Sequence, residues 1–352
     1  MKNKVLVAMS GGVDSSVSAF LLKEEGYEVI GVTMCLGITP DEDTPVKCCG
    51  RQAIQDAKKV CDKLNIPHYV LNFSRELEET VIKNFVEEYL RGRTPNPCIE
   101  CNRSLKFDKL LKSTLSFGCD FLATGHYARI EKYDDNFLLK KPKDTAKDQT
   151  YFLYTIKKES LKFIKFPLAD LYKDEVRSIA KKIELPVANK PQSQDICFIP
   201  GKDYRKFLIS RIGDIKSGDI VDLKGNILGK HKGIIFYTIG QREGIGISAK
   251  KPFYVVSIDA TKNQIIVGTK EDLNTKELIA GNLNFIVDEI PEKATAKIRY
   301  SRRESECNLV LNNDKCRVIF KEGQEAITPG QSIIFYKNDI VLGGGIIEEV
   351  LR

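Results

Sequence analysis

The run Lys4-Val5-Leu6-Val7-Ala8-Met9-Ser10-Gly11-Gly12-Val13-Asp14-Ser15-Ser16 constrains the fold of this chain more than any other stretch. Val5 to Met9 is an unbroken apolar run, as expected of a strand buried on both faces, and Ser15 to Glu25 then carries helix-like apolar spacing. Two glycines between strand and helix let the backbone approach an anion without interference from a Cβ. Ser10, Ser15 and the unpaired N–H groups of the helix start can donate to phosphate oxygens. Asp14 is suited to hold Mg2+ on those phosphates. The segment therefore reads as a nucleotide pyrophosphate site.

It is not the Gly-x-x-x-x-Gly-Lys-Ser/Thr loop, and no Gly-x-Gly-x-x-Gly follows a strand. Its Ser-Gly-Gly-x-Asp-Ser form resembles the PP-loop ATP pyrophosphatases. That resemblance implies cleavage of ATP between the α and β phosphates, with adenylation of a substrate oxygen.

At 352 residues the chain is long enough for two or three domains. No charged-then-apolar signal pattern opens it, and no uncharged apolar run of about 18 residues occurs, so a soluble cytoplasmic protein without a membrane partner is expected. Ten cysteines in such a chain should then be mostly thiols, available for catalysis or metal. The balance of 55 basic against 48 acidic residues, +7 overall, is too modest to identify a nucleic-acid partner. Local clusters are more suggestive: Lys140, Lys141, Lys143 and Lys147; Lys157, Lys158, Lys162 and Lys165; Lys297, Arg299, Arg302 and Arg303. Each is either a solvated face or a set of phosphate contacts.

Up to Ala123 strands and helices alternate: strands Val5–Met9, Glu28–Met34, His68–Asn72 and Phe121–Ala123, helices Ser15–Glu25, Arg51–Leu64, Ser74–Leu90 and Arg103–Ser116. This predicts an α/β domain with a doubly wound parallel sheet, its ligand beyond the carboxyl ends of the strands. The Ser10–Ser15 loop, Met34 and Thr124-Gly125-His126-Tyr127 then share one rim. One more helix is expected over Leu171–Ile183. After Gly201 the texture becomes short alternating strands with glycine turns, among them Gly233–Ile239, Phe253–Ile258, Gln264–Val267, Ala294–Tyr300, Cys307–Leu311, Cys316–Phe320 and Ser332–Tyr336, which predicts small all-β, barrel-like modules. The expected division is 1–200, 201–277 and 278–352.

Arg93-Thr94-Pro95-Asn96-Pro97-Cys98-Ile99-Glu100-Cys101-Asn102 sets two thiols three residues apart at the start of a helix, where a thiolate is favoured. A third thiol, Cys197, precedes the first boundary. A zinc site lacks a second ligand pair at usual spacing. A thioredoxin-like pair and a sulfur-transfer pair, in which one thiol carries a persulfide and the other resolves it as a disulfide, both remain open. Cys35, Cys61, Cys119, Cys307 and Cys316 are expected to be inert buried thiols, and Cys48 and Cys49 have no assigned role.

Taken in order, the phosphate loop, Thr94-Pro95-Asn96-Pro97, Cys101-Asn102, Ala123-Thr124-Gly125-His126-Tyr127, Lys147-Asp148-Gln149, Ile196-Cys197-Phe198, Tyr237-Thr238-Ile239-Gly240-Gln241-Arg242, Gly330-Gln331 and Leu342-Gly343-Gly344-Gly345 resemble the bacterial tRNA-specific 2-thiouridylases, nearly end to end. The resemblance implies thiolation of the wobble uridine in lysine, glutamate and glutamine tRNAs, using ATP, Mg2+ and a sulfur-donor protein. It places the persulfide on Cys197 and the resolving nucleophile at Cys101. It implies ATP contacts at Ala8, Met9, Ser10, Gly11, Gly12, Val13, Asp14, Ser15, Met34 and Gly125. Asn96, Pro97 and Cys98 fall at the target base, and His126, Lys147, Asp148, Gln149, Arg299, Tyr300 and Gln331 at tRNA contacts. Relatives often carry Asp where this chain has Cys98, so a carboxylate role does not transfer. Three thiolates at Cys98, Cys101 and Cys197 suggest an iron–sulfur cluster as the alternative to a persulfide. Competing functions are a small-molecule synthetase with the same loop and a non-catalytic tRNA-binding protein of this fold.

Overall fold

The computed structural model describes residues 3–37, 51–191, 196–199, 201, 203–247 and 251–352. Cys48 and Cys49 lie outside the described residues. The chain divides into two compact units. The first comprises Met1–Val81, Cys98–Pro200 and Asp339–Val341, the second Ile82–Pro97, Gly201–Asn338 and Leu342–Arg352.

In the first unit, strands β1 (Lys4–Ala8), β2 (Glu28–Cys35), β3 (His68–Asn72), β4 (Phe121–Ala123) and the two-residue β7 (Ile164–Lys165) form a parallel sheet in the order β3-β2-β1-β4-β7. The order reverses between β1 and β4, which opens a crevice at their carboxyl ends. Val5 and Val7 of β1 pack with Val17 and Leu22 of helix α1 (Val13–Glu24), Val60 and Cys61 of helix α2 (Arg51–Leu64), and Val176 and Ala180 of the Lys173–Lys182 helix. Leu6, alternating with them, is equally buried and points to the opposite face. The sheet is thus covered on both sides, as the unbroken apolar strand predicts.

Besides the unexpected strand β7 and a π-helical stretch at Leu77–Ile82 within the expected Ser74–Leu90 helix, two larger features of this unit depart from expectation. The helix read as Arg103–Ser116 begins at Pro97 and runs to Ser116, α-helical at both ends and π-helical over Cys101–Leu110. Pro97 suits a first helical position because its missing N–H has no intrahelical partner to lose. The second departure is a hairpin of β5 (Arg129–Tyr133) and β6 (Asn136–Lys140), turning at Asp134 with φ 52°. Lys140 of this hairpin pairs with Ile340.

In the second unit, β8 (Gly218–Asp222), β9 (Ile227–His231), β10 (Tyr254–Asp259) and β11 (Gln264–Gly268) form a sheet in the order β10-β11-β8-β9. Six further strands, β12 (Asn274–Phe285), β13 (Lys293–Lys297), β14 (Ser305–Asn312), β15 (Lys315–Glu325), β16 (Ser332–Lys337) and β17 (Ile340–Leu351), run β12-β15-β14-β13-β16-β17, and β12 pairs back to β17. That closure removes free sheet edges. Leu278, Val318, Phe320, Ile333 and Phe335 fill the interior. The expected strand over Gly233–Ile239 is instead a short 3-10 turn at Ile234–Phe236, since Gly233 takes φ 146° and redirects the chain. A helix over Tyr204–Ile212 also interrupts the expected all-β texture, packing Phe207 and Tyr204 on Phe85 and Tyr89.

Candidate active site

The phosphate loop leaves β1 at Ala8 and enters α1 at Val13. Gly11 takes φ 69°, and a Cβ there would lie 2.4 Å from the Ala53 carbonyl oxygen, so the loop shape and its packing on α2 both require glycine. The Ser15 hydroxyl accepts from the Ser10 N–H at 3.2 Å and lies 3.1 Å from the Ser10 hydroxyl, which draws the two ends of the loop together. No side chain caps the helix start at Gly12, so its N–H groups remain directed at the crevice.

The crevice wall opposite is the segment after β4. A Cβ on Gly125 would lie 2.6 Å from the Ser15 nitrogen and 2.8 Å from the Asp14 carbonyl carbon, so Gly125 meets the loop backbone to backbone. Tyr127 donates its hydroxyl to Asp14 Oδ1 at 3.0 Å, and Lys173 reaches the same oxygen at 2.5 Å. Burial, with the adjacent Asp14, pushes the Tyr127 phenol well up, so it stays a donor. Lys190 donates to the Gly11 carbonyl at 2.9 Å and to Asp56 at 2.7 Å. Burial raises the Asp56 carboxyl, but the Lys190 and Gln52 bonds outweigh it and hold Asp56 below the usual carboxylate range. Lys173 and Lys190 carried no sequence signal, whereas Tyr127 lies in the Thr124–Tyr127 segment expected on the rim but had no role of its own. Lys173 and Lys190 lie 159 and 179 positions from their partners in the loop.

Met34 is half-buried near the end of β2, on the same rim. Gln149 accepts from the Tyr127 N–H at 2.9 Å and its own N–H donates to the Tyr127 carbonyl at 3.0 Å. Asp148 is buried and accepts from the Thr150 N–H and hydroxyl. His126 packs between Phe107 and Phe166, with Nδ1 2.7 Å from the Thr124 hydroxyl. Burial, reinforced by Lys106, holds its pKa well below the ordinary value. These residues shape the rim as much as they face outward, whereas Lys147 is half-buried in a cleft of about 490 Å3 that Asp144, Lys173 and Arg177 also line.

The three thiols singled out from sequence are neighbours within this unit. Burial raises the Cys98 thiol, and the adjacent Cys101 raises it further while Lys106 opposes. Cys101 is likewise raised by burial, opposed by Lys106. Cys197 is exposed as a residue, yet protein packed around its sulfur pushes the thiol up to about 12, with Cys101 and Cys98 adding to the rise. The expectation of a thiol depressed by a helix N-terminus is therefore overturned. The helix starts at Pro97, which puts Cys101 beyond the first turn, where the end effect fades, and burial outweighs the rest. Among the described residues no three His, Cys, Asp or Glu side chains are placed to hold a metal ion. The thiols, although neighbours, do not present the ligand arrangement of a cluster. For Mg2+ the donor set differs, since one carboxylate with phosphate and water oxygens is enough and Asp14 supplies the carboxylate.

Of the cysteines expected to be inert, Cys61, Cys119, Cys307 and Cys316 are buried with raised thiols, while Cys35 is only half-buried. Several basic-cluster residues have local partners: Lys140 bridges Glu131 and Asp339, Lys165 lies over Phe121, and Arg302 pairs with Glu325.

Asn96, Arg299, Tyr300 and Gln331 belong to the second unit. Gln331 donates to the Thr94 carbonyl at 2.7 Å, and the Thr94 N–H donates to the Pro329 carbonyl at 2.9 Å, which fixes the loop leading to Asn96 and Pro97. Arg299 donates to the carbonyls of Ala326 and Ile239 and to the Thr328 hydroxyl. Tyr300 beside it is exposed.

A parallel sheet with its switch point at a Ser-Gly-Gly-x-Asp-Ser loop defines a PP-loop nucleotide-binding protein of the HUP class. Residues 3–201 match the family model for a tRNA methyl transferase HUP domain, 205–269 that for a tRNA methyl transferase PRC-barrel domain, and 275–347 that for an aminomethyltransferase beta-barrel domain. The tRNA-specific 2-thiouridylase MnmA 1 of Syntrophus aciditrophicus is 55% identical, covering 100% of this chain and 94% of that protein. The tRNA-specific 2-thiouridylase MnmA of Acetivibrio thermocellus is 52% identical over 99% of each. A 4-thiouridine synthetase solved with RNA and bound ATP aligns at 19% identity and TM-score 0.38, over 56% of this chain and 45% of that one. The chain belongs to the tRNA-specific 2-thiouridylase family. Among the described residues no helix is long and apolar enough to cross a membrane.

Proposed function

We propose that this protein thiolates C2 of the wobble uridine of tRNA at the expense of ATP, in the lysine, glutamate and glutamine tRNAs. The observation that carries the reading is the gathering of Cys98, Cys101 and Cys197 in the unit that also holds the phosphate loop. The uracil C2 oxygen is a poor leaving group, and transfer of AMP to it, with release of pyrophosphate, makes it a good one. Ser10, Ser15 and the N–H groups at the start of α1 would stabilise the departing pyrophosphate. Asp14 would hold Mg2+, whose charge offsets that of the phosphates when bound.

A donor protein supplies sulfane sulfur to Cys197 as a persulfide. The terminal sulfur attacks C2, the C–O bond to AMP breaks, and a proton is released. Cys101 then attacks the Cys197 sulfur as the thiolate. A Cys101–Cys197 disulfide forms, the bond to the transferred sulfur breaks, and that sulfur keeps the electron pair as the 2-thiocarbonyl. The two thiols are oxidised as the sulfane sulfur is reduced, and an external thiol reductant resets the enzyme. Asn96, Pro97, Arg299 and Tyr300 are assigned to tRNA, Tyr300 by its exposed ring, which suits base stacking. The work divides over 1–200 for chemistry and over 201–277 and 278–352 for RNA.

The matching family models describe domains of a tRNA methyl transferase, which makes methyl transfer the second reading. A phosphate loop and three neighbouring thiols in one unit favour sulfur over methyl. Anaerobic incubation of iron-assayed protein with unmodified tRNA, ATP, Mg2+ and a persulfide source, followed by nucleoside mass spectrometry, decides between them. Replacement of one oxygen by sulfur on the wobble uridine is the expected result. A gained methyl group, or AMP formed without RNA and without thiouridine, would overturn it.

A further inference from the structure

We propose that Lys106 is the positioning cation of the sulfur relay, carried onto the thiol face by the π-helical winding of residues Cys101–Leu110. The inference rests on the sulfur-transfer reading of Cys101 and Cys197 but reaches a residue that no motif marks. In an α-helix a residue five positions on is rotated by about 140°, and Lys106 would point away from Cys101. In a π-helix hydrogen bonds run from i to i+5, so residues five apart stack on one face, and such stretches recur at functional sites.

The ammonium is also aimed. Lys106 donates to Asn102 Oδ1 at 2.9 Å, and the buried Asn102 donates its amide to the Phe152 carbonyl at 2.9 Å. Among the described residues no carboxylate pairs with Lys106. Of the acids on this helix, Asp108 is occupied by Lys112 at 2.8 Å, and Glu100 by Arg103 at 2.7 Å and by the Ser104 hydroxyl. The charge of Lys106 therefore acts on the groups around it, which are Cys98, Cys101, Cys197 and the imidazole of His126. Glu100 opposes ionisation of Cys101, and Cys98 and Cys101 oppose that of Cys197, whereas among the described residues Lys106 favours it in all three cysteines. In a buried site where thiolates are disfavoured, that cation steadies whichever sulfur must be anionic at each step.

The test is site-resolved alkylation by iodoacetamide across pH 6–10, read by peptide mass spectrometry, on wild type, Lys106→Met and Lys106→Arg. Lys106→Met should move the alkylation curves of Cys101 and Cys197 to higher pH by about one unit, roughly a tenfold loss of reactive thiolate at neutral pH. Lys106→Arg should restore most of that loss, with the melting temperature of both variants near wild type. Unchanged curves, or curves that shift only together with a fall in melting temperature and without rescue by arginine, would overturn the proposal. Alkylation needs neither ATP nor tRNA. A shifted curve in a protein that makes no thiouridine condemns the functional reading alone, and thiouridine formation with an unmoved curve condemns the role of Lys106 alone.

Discussion

The ammonium of Lys173 lies 2.5 Å from Asp14 Oδ1 within the first turn after the phosphate loop, and both side chains are largely shielded from water. Tyr127 donates to the same oxygen, and under the proposed function Oδ2 is the oxygen that would hold Mg2+. Lys173→Met would leave the carboxylate uncompensated beside an incoming triphosphate. RNA-dependent pyrophosphate release should fall about 10- to 100-fold, the equivalent of one charge-assisted hydrogen bond of roughly 1.5–3 kcal/mol. A rate within twofold of wild type would make Lys173 a structural partner only.

Gly125 offers a steric test of the crevice. In Gly125→Ala the new methyl would meet the backbone of Asp14 and Ser15, and backbone cannot swing aside as a side chain can. The loop must shift, at a cost of about 1–3 kcal/mol in stability. Titration calorimetry should find ATP binding lost or weakened at least tenfold in a protein that still folds. Wild-type affinity would show that Gly125 does not border the nucleotide.

Two of the three histidines, His68 and His126, are held below their ordinary pKa of 6.5 chiefly by burial. The unfolded chain takes up protons at these sites near pH 6.5 and the folded chain does not, so the unfolded state binds more protons below that pH. Their contribution to stability is complete above pH 6.5 and is lost as pH falls toward the depressed folded values. Melting temperature should drop between pH 7 and pH 5, and His126→Gln, which cannot take up a proton, should show a shallower drop. Parallel slopes in the two proteins would remove His126 as the cause.

Legibility in the sequence followed the range of the interactions. The helix Arg51–Leu64 and the strands His68–Asn72 and Phe121–Ala123 coincide with expectation because local periodicity and neighbouring turns set their limits. Gly233–Ile239 alternates like a strand, but its single glycine at φ 146° breaks the run, and no periodicity count registers a dihedral angle. The hairpin at Asp134 does not stand out in the sequence because β5 carries Arg129, Glu131 and Lys132 and the apolar run of β6, Phe137 to Leu139, is only three residues long. At the site, the glycines and hydroxyls of the loop are contiguous and could be read. The cations that complete it, Lys173, Lys190 and Lys106, arrive through tertiary folding or an unusual helical winding, neither of which leaves a local pattern.

The thiols allow a final prediction in which three like residues behave differently. Cys98 raises the pKa of Cys197 as a like-charged neighbour, so removing it takes away an obstacle to the anion of its partner. Cys98→Ser should therefore keep thiolation within about threefold of wild type, a change of well under 1 kcal/mol in barrier height. Cys197→Ser has no atom to carry the sulfane sulfur, and Cys101→Ser lacks the nucleophile that frees it, so each should abolish turnover. After a single turnover without reductant, peptide mapping should find Cys101 joined to Cys197 in wild type and in Cys98→Ser. Equal loss of activity in all three variants, accompanied by loss of bound iron, would favour a cluster over the two-cysteine relay.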